Sequence, residues 1–513
     1  LLCSACGGGD AEDTVVAAAP VTAAPVAAAP VGELGSIVSE QILSDSCVRV
    51  PAFARPSNTR SVRDFGAVPD DDRDDTDAIQ RGLDALKPGE TLWFGSGRYL
   101  MNRSLHVRRP GLTLSGDNAV LHATNPDDQA LMIEADDTTV AALTFTAVTD
   151  GRRNAARHSR IAILSDQGGG NYRYVRNTVV RDNRIINAGA PGTPTANSAS
   201  TAGILVLHAD HFLVAGNTVV RSLADGIHMT GGARNGRVLN NIVRETGDDM
   251  IAVVSYSDSG NAATNNAARL AQVFEANVEV RLNRNILISG NQLSGQYSGR
   301  GISVVGGQTI AIVRNTLDNI PVAAGILLAR EAAYQSFGVE NVVVEGNVLR
   351  NIQNESPPYD VGGKFASGKR TGHGAIEVHA ALFDDEAADP GLRAILAVRN
   401  VVVRDNLVQR SSVPAVRAGV GINQTVRGTD AAGRSVSRSA GTGVIESLSL
   451  QGNRFEQISA EPINVLGTDL NNIGLHCSGN QRDGRDYRGP ACKAAEPLLR
   501  KLPLSCSADG RLL

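Results

Sequence analysis

Three aspartates are spaced so that they can act on one another. Asp225 precedes the segment Gly-Ile-His-Met-Thr-Gly, and Asp248 and Asp249 precede Met-Ile-Ala-Val-Val-Ser, with Asp225 and Asp249 24 residues apart. Short apolar segments in this register recur at Gly203–His208, Gly226–Gly231, Met250–Ser255, Gly301–Gly306, Gly325–Arg330, Ala375–Ala380, Ala415–Val420 and Pro462–Gly467. Stacked as neighbouring strands about 4.8 Å apart, they bring Asp225, Asp249 and Arg300 into one column with Asp248 beside it. Carboxylates that close couple, so one pKa rises and a proton can be shared, which is what general acid–base chemistry needs. The first outward column within the strands then holds His228, Ala252, Ser303, Leu327 and Glu377, while Ser255, Arg330 and His379 lie at strand ends.

The elements that carry these residues follow from the repeat. Asn217 and Asn241 are 24 residues apart, as are Asn291 and Asn315, and Asn347, Asn406 and Asn453 continue the series. A short strand returning at that interval signals a solenoid, whose repeats bury their apolar faces only against neighbours. Strands this short and rich in Val, Ile and Leu predict an all-β protein, a parallel β-helix. The recurrent Asn suits a turn position that tolerates left-handed dihedrals and stacks in a ladder. Ile204, Ile227, Ile251, Ile302, Ile326 and Ile376 form one inward ladder, and Val206, Met229, Val253, Val304, Leu328 and Val378 the next. Two long intervals, Asn241–Asn291 and Asn347–Asn406, mark loops expected over a binding face. The second carries Lys364, Lys369 and Arg370 and leads into His373 and Glu377. Two of only five lysines in one loop point to an acidic glycan.

The chain has 513 residues, 54 of them Gly, with 4% aromatic and 20% charged residues and a net charge of −4. That balance carries no nucleic-acid signature. Residues 1–33 read as an export segment: Leu-Leu-Cys-Ser-Ala-Cys-Gly-Gly-Gly-Asp looks like the end of a bacterial lipoprotein signal, with Cys6 as the lipidated residue, followed by an Ala/Val/Pro tether. The expected location is the bacterial cell envelope, lipid-anchored or periplasmic or secreted, with the membrane touched only through the lipid. Four further cysteines allow three pairings. Cys477–Cys492 and Cys47–Cys506 are the favoured ones, staples suited to an oxidising compartment. Residues 34–110 form an N-terminal capping segment, 111–475 the β-helix with its catalytic coils, and 476–513 a C-terminal cap. The cap contains a helix with Ile79, Leu83 and Leu86 on one face and Asp75 or Thr76 at its start. The acidic run Asp70–Asp75 reads as a solvated loop rather than a calcium site. A monomer is expected.

Two sets of residues carry a family resemblance. Asp-Phe-Gly-Ala at Asp64–Ala67, the Asp-Asp-Thr start at Asp74–Thr76 and the Gly-Ser-Gly-Arg-Tyr strand at Gly95–Tyr99 resemble the N-terminal block of the pectate-lyase and polygalacturonase-like superfamily. Ala-Asp-Gly-Ile at Ala224–Ile227 and Gly-Asp-Asp-Met-Ile-Ala at Gly247–Ala252 resemble two signatures of glycoside hydrolase family 28. Arg300 stands where that family has His, and the family's Arg-Ile-Lys would fall on Leu327–Ala329 and is lost. The resemblance implies a right-handed, single-stranded parallel β-helix with an N-terminal capping helix, and inverting hydrolysis without a cofactor. Asp248 would be the acid, and Asp225 and Asp249 would activate water. Arg300 and Arg330 would hold a carboxylate or sulfate of the sugar, with His228, Tyr256, His373, Glu377, Lys364 and Lys369 as further substrate contacts. Two other readings use the same parts. A lyase resembling pectate lyase would bind Ca²⁺ with Asp225, Asp248 and Asp249 and use Arg300 as base. A non-catalytic surface solenoid would only bind glycan.

Overall fold

The computed structural model describes Asp45 and residues 50–148, 153–166, 172–186, 201–257, 267–354, 370–420, 424–430, 432–467, 473–489 and 492–494. Cys6, Cys47, Cys506, Lys364 and Lys369, and with them the lipid anchor and the Cys47–Cys506 pairing, lie outside the described residues. Among the described residues the chain winds through three parallel sheets: sheet A with 14 strands, sheet B with 13 and sheet C with 11. Each coil visits them in the order A, B, C, which makes the molecule a parallel β-helix, consistent with the right hand that parallel crossovers take. The apolar ladders run inside. Ile204, Ile227, Ile251, Ile302, Ile326 and Ile376 are all fully buried, as are Val206, Met229, Val253, Val304, Leu328 and Val378.

The Asn residues sit at the corner between sheets A and B, where each coil turns in two residues. Asn183, Asn217, Asn241, Asn291, Asn315, Asn347, Asn406, Asn453 and Asn480 form one continuous stack. In each step the backbone N–H and Nδ2 both donate to Oδ1 of the next Asn; for Asn217 onto Asn241 the distances are 2.9 and 3.0 Å. The second Nδ2 hydrogen closes onto a strand carbonyl, as from Asn217 to Val180 at 2.9 Å. Every donor and acceptor of a buried amide side chain is thereby satisfied. The expectation of left-handed dihedrals at these Asn is corrected by one position. The residue just before each takes them: Asp182, Gly216, Asn240, Gly290, Arg314, Gly346, Asp405, Gly452 and Gly479, with φ between 54° and 69°. The ladder Asn must keep its side chain in line with the stack, so its neighbour supplies the bend.

Helix α1 (Thr76–Ala85) buries Ile79 and Leu83 and packs on the sheet C strand Leu105–Val107, closing the open first coil. Its N-terminus differs from expectation. Asp75 makes no side-chain cap; Asp74 Oδ1 accepts from the Thr76 N–H and hydroxyl instead. Asp75 is buried and accepts from the N–H groups of Val68 and Leu100, so it stitches the cap to the first coil. At the far end Cys477 and Cys492 are joined by a disulfide.

Sheet C carries the columns in which the aspartates and Arg300 are expected. Its central strands are β1 (Ala202–Leu207), β2 (Asp225–Thr230), β3 (Ile251–Val254), β4 (Ile302–Val305), β5 (Ile326–Arg330), β6 (Ile376–Ala380) and β7 (Val416–Val420). The long connections among the described residues leave this sheet at its corner with sheet A. They carry α2 (Ala267–Arg281) after β3, a short turn around Ala332–Tyr334 after β5, α3 (Asp384–Ala388) and α4 (Pro390–Leu396) after β6, and a hairpin of Gln424–Thr429 with Ser435–Ala440 after β7. Packing among them (α2 on α4, α3 on α4, the hairpin on the Ala332–Tyr334 turn) builds a wall along one edge of sheet C.

Candidate active site

The predicted register holds residue for residue. Ile227 pairs with Ile251, Ile251 with Ile302, Ile302 with Ile326, and Ile326 with Ile376. The outward column therefore reads Leu205, His228, Ala252, Ser303, Leu327, Glu377 and Arg417. Asp225 opens β2, and Asp248, Asp249 and Arg300 lie in the corners that lead from sheet B into β3 and β4. One carboxylate oxygen each of Asp225, Asp248 and Asp249 converges within 4.8 Å of the other two.

Each aspartate is held differently. Asp225 is buried, and its Oδ2 lies 2.7 Å from His228 Nδ1. Asp249 is 4% exposed; its Oδ1 accepts from the Arg300 backbone N–H at 2.7 Å and its Oδ2 from the Ser303 hydroxyl at 2.5 Å. Arg300 Nε also lies 3.0 Å from Asp249 Oδ1, an ion contact without hydrogen-bond alignment. Asp248 is only half-buried, the most open of the three, and its Oδ1 accepts from the Asp249 N–H at 3.1 Å.

Three carboxylates here face one guanidinium and one imidazole, which favours keeping a proton in the cluster. Burial pushes Asp249 up to about 7; Arg300 opposes this, Asp248 and Asp225 add to it, and Ser303 opposes it. For His228 burial alone would lower the imidazole, but Asp225, Asp249 and Asp248 together raise it above its usual range. Its Nε2 is buried and makes no hydrogen bond. For Arg300 burial is likewise outweighed by Asp249, Glu331 and Asp248, so it stays charged more firmly than a free arginine.

The remaining expected contacts divide. Tyr256 is half-buried on the outer face beside Ala252 and Val254, with its ring 6.5 Å from that of Tyr334. His373 is half-buried at the corner before β6, and Glu377 is fully buried on β6, bidentate with Arg417 at 2.7 and 2.8 Å. The reading of Arg330 as a substrate grip is corrected. Positions 326, 328 and 330 share the inward parity of β5, and Arg330 is fully buried. Its Nη2 donates to both oxygens of Glu386 on α3 at 2.8 and 2.9 Å, and its Nη1 to the Ala381 carbonyl. It anchors the wall from beneath. Ser303, Glu331 and Arg417 complete the site without having been singled out as site residues. Extending the outward column one coil past Glu377 finds Arg417; Glu331 has no repeat to announce it.

Comparison with known proteins follows the same outline. The family described as "Rhamnogalacturonase A/epimerase, pectate lyase-like" matches residues 59–299, which include the aspartate trio. No curated protein matches the chain. Among solved structures, the catalytic domain of a GH87 α-1,3-glucanase in complex with tetrasaccharides superposes with a TM-score of 0.51 at 14% identity, over 84% of this chain and 71% of that one. The GH87 α-1,3-glucanase catalytic unit from Streptomyces thermodiastaticus gives 0.51 at 16% identity, over 85% and 71%. The mannuronan C-5 epimerase A-module from Azotobacter vinelandii gives 0.47 at 13%, over 85% and 100%. At these identities the two glucanase superpositions establish the fold alone, a parallel β-helix, and the family model marks residues 59–299 as similar to pectate lyase-like proteins.

Proposed function

We propose that the protein is a carbohydrate-active enzyme, an inverting glycoside hydrolase acting on an acidic polysaccharide, with Asp225, Asp248 and Asp249 as its catalytic carboxylates. The observation that carries the carboxylate assignment is their convergence within 4.8 Å on the outer face of sheet C, from two successive coils. The inverting course rests on the signatures at Ala224–Ile227 and Gly247–Ala252, because this spacing is tighter than the roughly 6.5–9.5 Å usual for inverting pairs. Asp248, the most open of the trio, donates its proton to the glycosidic oxygen as the bond to the anomeric carbon breaks. Asp225 or Asp249 takes a proton from the water whose oxygen forms the new bond at that carbon. The net change is one proton moved from acid to base, and exchange within the cluster and with solvent restores the start. His228 fixes the orientation of Asp225, and Ser303 and the Arg300 N–H fix Asp249. The matched family and the glycan-bound solenoid are consistent with a carbohydrate substrate. The basic loop and Arg300 favour an acidic one.

The calcium-dependent lyase fits less well. Both oxygens of Asp249 are engaged, a guanidinium lies 3.0 Å away where a cation would sit, and an arginine base would need a lowered pKa, whereas Arg300 is raised. We further place the protein in the bacterial cell envelope as a monomer tethered through Cys6, a setting that suits the Cys477–Cys492 disulfide. Incubation with a panel of acidic and neutral polysaccharides tests the mechanism. New reducing ends of inverted anomeric configuration, without ultraviolet-absorbing unsaturated products and without loss in EDTA, are expected. Asp248→Asn should lower turnover roughly 10²- to 10⁴-fold. Unsaturated ends would make it a lyase, retained configuration would reassign a carboxylate as nucleophile, and binding without turnover would leave a glycan-binding solenoid.

A further inference from the structure

A second polar cluster lies farther along the same face, and the aspartate trio does not use it. Glu377 and His379 are two residues apart on β6 and so share its outer face, and His373 enters from the corner just before. One donor atom of each lies within 4.8 Å of the other two. His379 is 2% exposed, and its Nε2 is buried without a hydrogen bond; the nearest acid, Glu331 Oε1, is 3.8 Å away. Its Nδ1 faces Glu377 Oε1 at 3.4 Å. His373 Nδ1 is tied to the Thr371 hydroxyl at 2.9 Å, which leaves Nε2 as its second ligating atom.

We propose that His373, Glu377 and His379 bind a divalent transition-metal ion of the zinc class, with the coordination position on the groove side left open. Two imidazoles and one carboxylate are a donor set that suits zinc and its neighbours, and not calcium or magnesium, which take oxygen ligands. Three protein ligands leave a fourth position for water or for a sugar oxygen. Lone-pair accounting agrees. A carboxylate has roughly four acceptor sites. Glu377 fills three of them with Arg417 Nε and the Gly374 N–H on Oε2 and Arg417 Nη2 on Oε1, and the fourth, on Oε1, meets His379 Nδ1 only across a long 3.4 Å contact that a metal ion would replace. Arg417 thus orients Glu377 from behind, as carboxylate ligands are oriented at metal centres. Its positive charge opposes a cation, and Glu377 with Glu331 offsets it.

The inference does not rest on the hydrolase reading, and its test needs no activity. The full chain, stripped of metal, is titrated with zinc chloride in a calorimeter, and cobalt is substituted to read the visible ligand-field bands of an imidazole-containing site. One equivalent of zinc is expected. His373→Gln and His379→Gln should each weaken binding at least tenfold, while Asp248→Asn should bind as the unmodified protein does. His373 is half-buried, so its Gln variant keeps the fold, and an unchanged melting curve confirms that. Absence of one-equivalent binding, titration of both His variants indistinguishable from the unmodified protein, or loss of binding in Asp248→Asn would each overturn the assignment.

Discussion

Replacing Arg330 with Met separates a wall anchor from a substrate grip. Arg330 and Glu386 are each 0% exposed, so solvent screening does not discount their interaction. In Arg330→Met, Glu386 loses two charge-assisted bonds and keeps only the Phe383 N–H at 3.0 Å. Leaving one buried charge without its partner costs about 3–5 kcal/mol. At about 1.4 kcal/mol per tenfold, opening of the Ala381–Leu396 segment should become roughly two to three and a half orders of magnitude more frequent. Hydrogen exchange at the Ala381 and Ala387 amides, which donate to Arg330 and Phe383 carbonyls, reads that opening directly. The double replacement Arg330→Met with Glu386→Leu removes both charges and should return exchange close to that of the unmodified protein, because apolar side chains of similar volume replace such pairs at little cost. If Arg330→Met left exchange within twofold of its starting value while weakening glycan binding, Arg330 would be gripping substrate and the anchor assignment would be wrong.

Two further outcomes are expected. Asp249 has a folded-state pKa raised to about 7, so its contribution to stability is complete below the ordinary carboxylate range near 3.8 and is lost as pH rises through about 7. The slope of stability against pH across that window should flatten in Asp249→Asn, as followed by urea unfolding at several pH values. Asn315→Ala in the middle of the ladder removes the amide that donates to Ile288 and Asn347 and accepts from Asn291. It strands several buried groups at about 1–3 kcal/mol each and should cost about 3 kcal/mol or more by the same measurement.

The parts of the molecule that repeat were legible, and the parts that occur once were not. A 24-residue interval and a two-residue side-chain alternation suffice to stack β2 on β3, which brings Asp225 beside Asp249, and the shared Gly-Ile register carries the stack across the longer step to β4. The same alternation already pointed Arg330 inward, with Ile326 and Leu328; its misassignment came from treating a strand end as free of parity. Glu386 lies on α3, in an insertion with no counterpart in other coils, so nothing in the periodicity pairs it with Arg330. Glu331 is hidden for the same reason. The left-handed position was displaced by one residue because Asn is the commonest non-glycine in that conformation, whereas here its side chain serves the stack and Gly, Asp, Asn or Arg takes the bend.

The Asn corner and the wall occupy different edges of the coil, and this separation bears on how such a molecule can change over generations. The corner between sheets A and B is held to two residues by hydrogen bonds running from coil to coil, and an insertion there would break the stack. The corner between sheets C and A carries no such ladder and already accommodates a helix, a turn, a helix pair and a hairpin. New loops can be acquired, lengthened or exchanged beside the outer face of sheet C while the opposite edge preserves the register that aligns Asp225, Asp249 and Arg300. Substrate range and scaffold integrity are thereby inherited almost independently, and grafting a foreign loop after β3 or β7 should alter the first without touching the second.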